Sequence, residues 1–241
     1  MRAVIFDLGH TLIDYHSDWK GPEDRAVSRI YRLLVSRVGR LPAEKDFSAD
    51  LHRLLEIARQ KKQREMIEVP LRTVLTECFR RLGYENDEGT VEAGLEVFYG
   101  TLLEDRRLID GAREMLASLK GRCSLGLISD VAWGLPSEYP LRDMHDYAID
   151  GFFDDMVFST DVGLRKPHPR IFKISLDNLS VSNEEAVYVG NSLQADIKGA
   201  LNVGIRSILK RSSYYFPDDS IVPDAIIDDW SELEGALSDL G

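Results

Sequence analysis

Apolar residues follow two different patterns along the chain. Residues 1–8 and 123–129 are nearly continuous apolar runs, typical of β-strands that are buried on both faces of a sheet. Between these runs, apolar residues recur every three or four positions, and this spacing predicts amphipathic helices. We place these helices at 22–39, 46–66, 70–83 and 88–104.

After residue 105, predicted helices and strands alternate. The helices are 111–120, 137–149, 169–179, 193–202 and 230–239, and the strands are 123–129, 155–160, 186–190, 205–209 and 224–228. Alternation of this kind predicts an α/β fold, in which a Rossmann-like parallel sheet has helices on both faces. In such sheets, ligands bind at the carboxyl ends of the strands.

The helical segment after the first strand is too long for a connection. A strand-to-helix loop usually takes about 2 to 6 residues, whereas this segment occupies 15–105. We therefore predict an inserted α-helical cap domain at 15–105. The α/β catalytic core then consists of 1–14 and 106–241.

The composition fits a globular protein and argues against several functions. The 241 residues are 44% hydrophobic and 29% charged, and the net charge is −11. An acidic chain is poorly suited to bind nucleic acid or an anionic membrane. No apolar run approaches the roughly 20 residues of a membrane span, and we predict no signal peptide. We expect a cytoplasmic protein with two reduced cysteines; the sequence does not indicate its oligomeric state.

Polar residues follow four of the predicted strands. Asp7 ends the first strand in VIFDLGHTLIDY, and Ser129 ends the next in GLISDV. Lys166 lies in GLRKPHPRIF, after strand 155–160, and YVGNSLQADIKGA contains Asn191 and Asp196. Because the carboxyl ends of parallel strands lie at one edge of the sheet, we expect these side chains to converge there.

These groups suit phosphoryl transfer. An aspartate such as Asp7 can attack phosphorus and form an aspartyl-phosphate, and the reaction then depends mainly on positioning and charge stabilisation. The Ser129 hydroxyl and the backbone N–H groups at 8–10 can hold phosphate oxygens. Lys166 can neutralise charge, and two carboxylates, from Asp7 and Asp196, can serve as oxygen ligands for Mg²⁺.

The four motifs, in this order and with a helical insert after the first, resemble those of the haloacid dehalogenase-like hydrolase superfamily. The similarity covers the whole chain, and the insert resembles the C1-type cap of subfamily I. The resemblance implies an Mg²⁺-dependent phosphatase that hydrolyses a small phosphorylated metabolite. It implies that Asp7 is the nucleophile and that Ser129 and Lys166 are the phosphate-binding and charge-neutralising groups.

The resemblance also implies the ligand-binding residues. The metal ligands would be Asp7, the backbone carbonyl of Gly9, Asn191 and Asp196, and the substrate-binding residues would be Leu8, Gly9, His10 and Asp130. Two of these roles stay open. Asp196 binds the metal or pairs with Lys166, and Asn191 is a direct ligand, a water-mediated ligand or a turn residue.

Two positions depart from the family pattern. Gly9 stands where the family has a second aspartate, its general acid and base, and such help is worth about 10²–10⁴-fold in rate. His10 is adjacent and can titrate near neutral pH, so we hypothesise that His10 or a cap residue partly replaces the missing acid. Asn191 stands where the family usually has Asp, so we expect weak Mg²⁺ binding.

These departures leave two other functions open. The 2-haloacid dehalogenase branch also lacks the second aspartate and needs no metal; there Asp7 would attack carbon and displace halide. A third hypothesis is a catalytically inactive binding protein that kept the fold. The retained Asp196 and the Gly-Asn-Ser at 190–192 are closer to the phosphatase pattern.

The cap should close over the site and set specificity. Five residues near the cap entry and after Ser129 either contact the leaving group or pack the hinge: His16, Trp19, Lys20, Trp133 and Tyr139. The basic segment 59–65, RQKKQRE, reads most simply as a solvated helix face.

Overall fold

The strands and helices follow the predicted order. This computed structural model describes residues 1–15, 18–37, 41–84, 88–214 and 216–241. The strands are β1 (Ala3–Phe6), β2 (Ile13–Asp14), β3 (Arg107–Leu108), β4 (Ser124–Ser129), β5 (Asp155–Phe158), β6 (Ala186–Gly190), β7 (Arg206–Lys210) and β8 (Ala225–Ile227). The helices are α1 (Lys20–Arg37), α2 (Glu44–Glu65), α3 (Leu71–Arg81), α4 (Glu88–Leu102), α5 (Ala112–Leu119), α6 (Glu138–Asp146), α7 (Ser159–Val162), α8 (Pro169–Leu179), α9 (Lys198–Asn202) and α10 (Leu233–Leu240).

Six of the strands form one parallel sheet in the order β5-β4-β1-β6-β7-β8. The central strand β1 pairs with β4 on one side and β6 on the other, and Ala3 lies in register with both Ser124 and Ala186. This arrangement confirms the predicted Rossmann-like sheet, and it places the ends of β4, β1 and β6 side by side.

Both faces of the sheet are covered, which explains why β1 is apolar throughout. Val4 and Phe6 belong to the core cluster that contains residues of α5, α6, α10 and the inserted helices. Ala3 and Ile5 alternate with them and belong to the cluster with α8 and α9 on the opposite face. All four residues are fully buried, as expected for a central strand of a parallel sheet.

The helices α1 to α4 lie between β2 and β3. These two short strands pair antiparallel, with Ile13 opposite Leu108 and Asp14 opposite Arg107, and they lie where the predicted boundary between core and cap falls. Neither strand was predicted, because two residues are too few to show a period. Along α1 the buried residues Ala26, Val27, Ile30 and Leu34 recur at helical spacing, so one apolar stripe faces the other inserted helices.

Several element boundaries differ from the predicted ones. Strand 155–160 ends at Phe158, and Ser159 begins the short helix α7. The Ser159 hydroxyl accepts the Val131 N–H at 2.9 Å and donates to Glu68, and these contacts hold the chain in a turn. The predicted helix 193–202 begins with a π-helical turn over Leu193–Ile197. The last two residues of predicted helix 22–39 fall outside the described residues.

The segment between α2 and α3 packs directly on the core. Ile67 forms an antiparallel bridge with Leu164, and the Arg165 N–H donates to the Met66 carbonyl at 2.9 Å. Gly134 permits a second close approach, because a Cβ on it would lie 2.4 Å from the Val69 carbonyl oxygen, and its φ is +74°. The inserted helices therefore contact the loop that carries Lys166.

The helices include no candidate for a membrane span. Within the described ranges, none of them is both long enough and apolar enough to cross a bilayer.

Candidate active site

The proposed nucleophile Asp7 directly follows the central strand. Its N–H donates to the Val189 carbonyl of β6 at 2.9 Å, which continues the strand pairing to the sheet edge. Its Oδ1 accepts the Lys166 ammonium at 2.6 Å, and its Oδ2 accepts the Thr11 hydroxyl at 2.8 Å. Asp7 is buried, and these two donors fix the orientation of its carboxylate.

The Lys166 ammonium lies between two carboxylates. Besides Asp7 it contacts Asp196 Oδ1 at 2.7 Å, and it donates to the Ile128 carbonyl at 2.9 Å and the Tyr188 hydroxyl at 3.0 Å. Burial by itself would lower the pKa of Lys166, but the charges of Asp196 and Asp7 outweigh it and raise that pKa well above its usual value. Lys166 is therefore a permanent buried cation.

The turn after Asp7 leaves two backbone donors for a ligand. The Leu8 carbonyl accepts the N–H groups of residues 11–13, and the His10 N–H donates to the Ile13 carbonyl at 2.7 Å. Among the described residues, no group accepts the N–H of Leu8 or Gly9. The turn itself uses the His10 N–H, so the backbone donors that it leaves for a ligand are those of Leu8 and Gly9.

The His10 side chain is held by two contacts. Its ring stacks on Tyr214 at 4.6 Å between centroids, and Nδ1 lies 3.0 Å from Asp14 Oδ1. Since a carboxylate only accepts, Nδ1 carries the hydrogen and Nε2 keeps a lone pair. Nε2 is buried without a partner in the described part of the chain. Burial lowers the pKa of His10, although Asp14 opposes the shift.

The Tyr15 ring lies beside Gly9, where the family has its second carboxylate. A Cβ built on Gly9 would be 3.5 Å from Tyr15 Cε2, an ordinary contact, and the Gly9 backbone is not in the left-handed region. The backbone conformation at position 9 therefore does not require a glycine. A longer side chain at this position would have to share its space with the tyrosine ring.

The oxygen donors near Asp7 fit a weakly held Mg²⁺. Asn191 donates its Nδ2 hydrogens to the Tyr214 carbonyl and the Ser212 hydroxyl, at 3.0 and 3.2 Å, and its Oδ1 lies 3.5 Å from the Thr11 hydroxyl. The Gly9 carbonyl accepts no hydrogen bond from a described residue. One carboxylate, one amide and one carbonyl oxygen suit an ion that keeps several waters.

Asp196 pairs with Lys166, which is one of the two roles predicted for it. Its Oδ1 contacts Lys166 and accepts the Tyr188 hydroxyl at 3.2 Å, and its Oδ2 accepts the Ser192 N–H at 2.9 Å. Both oxygens of Asp196 are therefore engaged by protein groups.

Ser129 is the last residue of β4 and Asp130 is the next residue, but the two side chains have different neighbours. Ser129 lies at the end of the strand and lines the same cavity as Asp7. Asp130 accepts the Lys166 N–H at 3.1 Å and lies 3.5 Å from the Arg165 guanidinium. Burial raises the pKa of Asp130, and the charges of Arg165 and Lys166 oppose this shift. Asp130 therefore holds the Lys166 loop besides lining the cavity.

A buried ion cluster joins the inserted helices to that loop. Glu68 contacts the Lys62 ammonium and the Arg165 guanidinium, both at 2.6 Å. Burial lowers the pKa of Lys62 to about 8, with the charge of Glu68 opposing it. The Lys62 side chain is 10% exposed, so the prediction of a solvated face at 59–65 is wrong at this position.

One cavity of about 950 Å³ connects these groups. It is far larger than a phosphate group and leaves space for a leaving group. Four of the five residues named as leaving-group contacts or hinge residues line it, namely Trp19, Lys20, Trp133 and Tyr139. The Trp133 indole N–H donates to Glu23 of α1 at 2.6 Å, so this residue also packs the hinge. His16 lies outside the described residues.

Comparison with known proteins defines the class of this site. Residues 1–204 match the family of haloacid dehalogenase-like hydrolases, and this chain belongs to that family. A relative, glyceraldehyde 3-phosphate phosphatase from Pyrococcus furiosus, is 29% identical over 209 residues, which cover 86% of this chain and 80% of that protein.

Solved structures share the fold over nearly the whole chain. A 2-haloacid dehalogenase from Pseudomonas syringae pv. Tomato DC3000 aligns with a TM-score of 0.74 at 24% identity and covers 100% of both chains. The hydrolase YfnB from Bacillus subtilis, determined with bound magnesium, aligns with a TM-score of 0.62 at 21% identity and covers 98% of both chains. The similarity to these two proteins concerns the fold.

Sequence reasoning missed four residues of the site. Thr11 belongs to the first motif and could have been found from its position four residues after Asp7. Tyr188 lies in an apolar strand, and nothing in that pattern distinguishes its hydroxyl from a core aromatic ring. Glu68 and Tyr15 reach the site only through the packing of the insert on the core.

We predict that Glu68→Gln destabilises the protein by about 3–5 kcal/mol, because it leaves Lys62 and Arg165 buried beside a neutral amide. Denaturant unfolding measures the change. The matched control is Glu92→Gln, which removes an exposed ion pair with Arg72 and should change stability by less than about 1 kcal/mol. Equal effects of the two substitutions would contradict the role given to the buried cluster.

Proposed function

We propose that this protein is an Mg²⁺-dependent phosphatase that hydrolyses a small phosphorylated metabolite through an aspartyl-phosphate intermediate. The observation that carries the proposal is the oriented Asp7 carboxylate, which lies against a permanent cation in a cavity with Ser129. The relative from Pyrococcus furiosus, named as a phosphatase of a phosphorylated three-carbon aldehyde, supports the same class.

Each residue of the site has a defined task in this reaction. Asp7 attacks phosphorus with a lone pair that its hydrogen bonds to Lys166 and Thr11 leave free. The bond to the leaving oxygen breaks, and a water later attacks the phosphoryl group and restores the carboxylate. The N–H groups of Leu8 and Gly9 and the Ser129 hydroxyl bind the phosphoryl oxygens.

Magnesium supplies charge neutralisation on the phosphoryl oxygens when it is bound. Asp7, Asn191 and the Gly9 carbonyl would hold it, and only Asp7 contributes a formal negative charge. YfnB, which shares the fold, was determined with magnesium. We expect weak affinity for the ion, because Asn191 replaces a carboxylate and both oxygens of Asp196 are engaged.

The missing second aspartate restricts the range of leaving groups. Gly9 cannot protonate a leaving oxygen, so phosphates whose leaving groups are already stable as anions should react fastest. The rival function, a metal-free 2-haloacid dehalogenase, requires no such acid, and a dehalogenase structure shares the fold. Halide release from 2-haloacids distinguishes this rival, and an inactive binding protein would give neither activity.

The first test is hydrolysis of p-nitrophenyl phosphate with and without Mg²⁺. We expect Mg²⁺-dependent release of p-nitrophenol, because this leaving group needs little acid help. Asp7→Asn should abolish release, since an amide is not a nucleophile toward phosphorus. No release by folded protein in either condition would contradict the phosphatase. Titration of the metal should show weak binding, and tight micromolar affinity would contradict the assigned ligand set.

A second test restores the missing carboxylate. Gly9→Asp should raise the rate on alkyl phosphates relative to p-nitrophenyl phosphate by about 10-fold or more, since general acid help is worth 10²–10⁴-fold when well placed. Partial recovery is expected because the Tyr15 ring lies beside the new side chain. Gly9→Asn, of the same shape without the acid, is the control. An equal rise in both variants would exclude acid catalysis as the cause.

A third test concerns His10 as the base for hydrolysis of the aspartyl-phosphate. Its unprotonated Nε2 is the active form, and its pKa lies below the usual 6.5. The rate should therefore fall as the pH drops below 6.5 through this lowered pKa. His10→Ala should remove that acidic limb from the profile of kcat against pH. An unchanged profile in the variant would remove His10 from this role.

A further inference from the structure

The cavity contains a second buried carboxylate, Asp143, which the proposed reaction does not use. Asp143 lies on α6, is fully buried and lines the same cavity as Asp7. Its Oδ1 accepts the Tyr99 hydroxyl and contacts the Arg106 guanidinium at 2.5 Å. Its Oδ2 is buried and has no hydrogen-bond partner among the described residues.

The two oxygens of Asp143 therefore differ in what they can bind. Oδ1 is already engaged by Tyr99 and Arg106. The Tyr99 ring in turn contacts the Tyr139 ring, and the Arg142 guanidinium lies over both rings. Buried carboxylate oxygens are normally hydrogen-bonded. An unpartnered one at a cavity wall is an acceptor for a donor group from a ligand.

Tyr15 connects this acceptor to the reaction centre. One side of its ring lies beside Gly9, as described above, and its hydroxyl lies within electrostatic reach of both carboxylates. Burial raises the pKa of Tyr15 well above its usual value, and the charges of Asp143 and Asp7 add to this effect. Asp7, Tyr15 and Asp143 line one cavity, so a leaving group attached to a phosphate at Asp7 shares this cavity with Asp143.

The charges that line the cavity argue against a second anionic group on the substrate. Among the described residues, six carboxylates and five basic side chains line it. Arg59, Lys62 and Arg165 already pair with glutamates, and Lys166 pairs with Asp7 and Asp196. The fifth basic residue, Lys20, is exposed. A substrate carboxylate placed beside the buried Asp143 would face a like charge, and a buried charge without a partner is strongly disfavoured.

We propose that Asp143 Oδ2 binds a hydrogen-bond donor on the leaving group of the substrate, and so selects phosphate monoesters that carry a hydroxyl or an ammonium group over phosphorylated carboxylic acids. This assignment rests on the proposed phosphatase activity. It identifies Asp143 as a specificity-determining residue that contacts the substrate away from the phosphate.

The test compares matched substrates of the wild-type enzyme. We expect kcat/KM for sn-glycerol 3-phosphate to exceed that for propyl phosphate by about 10-fold or more, because its hydroxyl groups supply a donor to the unpartnered Asp143 Oδ2. 2-Aminoethyl phosphate against ethyl phosphate tests the ammonium group in the same way, and a preference in either pair supports the proposal. D-3-phosphoglycerate should be the poorest substrate. No preference in either pair, or a preference for the carboxylate, would overturn the assignment.

Asp143→Asn tests whether the preference belongs to this residue. The Tyr99 and Arg106 donors would hold the amide oxygen, so the amide nitrogen would replace the acceptor at Oδ2. The preferred pair should then react at nearly equal kcat/KM. Asp18→Asn, the same change at an exposed cavity residue, should keep the wild-type ratio. A ratio unchanged in Asp143→Asn would show a purely structural carboxylate.

The outcomes separate this proposal from the proposed function. If p-nitrophenyl phosphate is not hydrolysed by folded enzyme, the phosphatase is wrong and the Asp143 assignment falls with it. If the enzyme hydrolyses p-nitrophenyl phosphate but ignores hydroxyl and ammonium groups, only the assignment is overturned. The comparison of wild-type substrates decides even if Asp143→Asn fails to fold.

Discussion

The site depends on one buried ammonium group that lies between two carboxylates. Removing Lys166, Asp7 and Asp196 from water is costly, and the mutual attraction offsets that cost only when the remaining hydrogen bonds are made. Here the Ile128 carbonyl, the Tyr188 hydroxyl, the Thr11 hydroxyl and the Ser192 N–H complete them. The order of β4, β1 and β6 brings these groups to one sheet edge, so the sheet topology is a condition for the ion cluster.

The loop that carries Lys166 also contacts the inserted helices. Arg165, next to Lys166, pairs with Glu68, and Glu68 also holds Lys62 at the end of α2. The backbone adds the Ile67–Leu164 bridge and the close approach at Gly134. The position of the insert and the position of Lys166 are therefore not independent.

Gly9 in the first motif removes a carboxylate but leaves the neighbouring Asp7 carboxylate in place. Asp7 keeps both orienting hydrogen bonds, and the backbone donors at Leu8 and Gly9 stay available. The space beside Gly9 belongs to the Tyr15 ring, while His10 is turned by its left-handed backbone, with a φ of +58°, into a stack against Tyr214.

The spacing of apolar and polar residues along the chain was enough to predict much of the fold and part of the candidate site. Apolar runs and helical spacing placed the parallel sheet and the inserted helices, and the polar residues at strand ends identified Asp7, Ser129, Lys166, Asn191 and Asp196, because the carboxyl ends of parallel strands meet at one edge. This spacing could not show that Asp196 pairs with Lys166. It also could not distinguish the Tyr188 hydroxyl from a core aromatic ring in an apolar strand. It also gave no sign of Glu68, Lys62 or Asp143. Those roles were decided by tertiary structure, since burial and pairing of a charged group depend on residues distant in the chain.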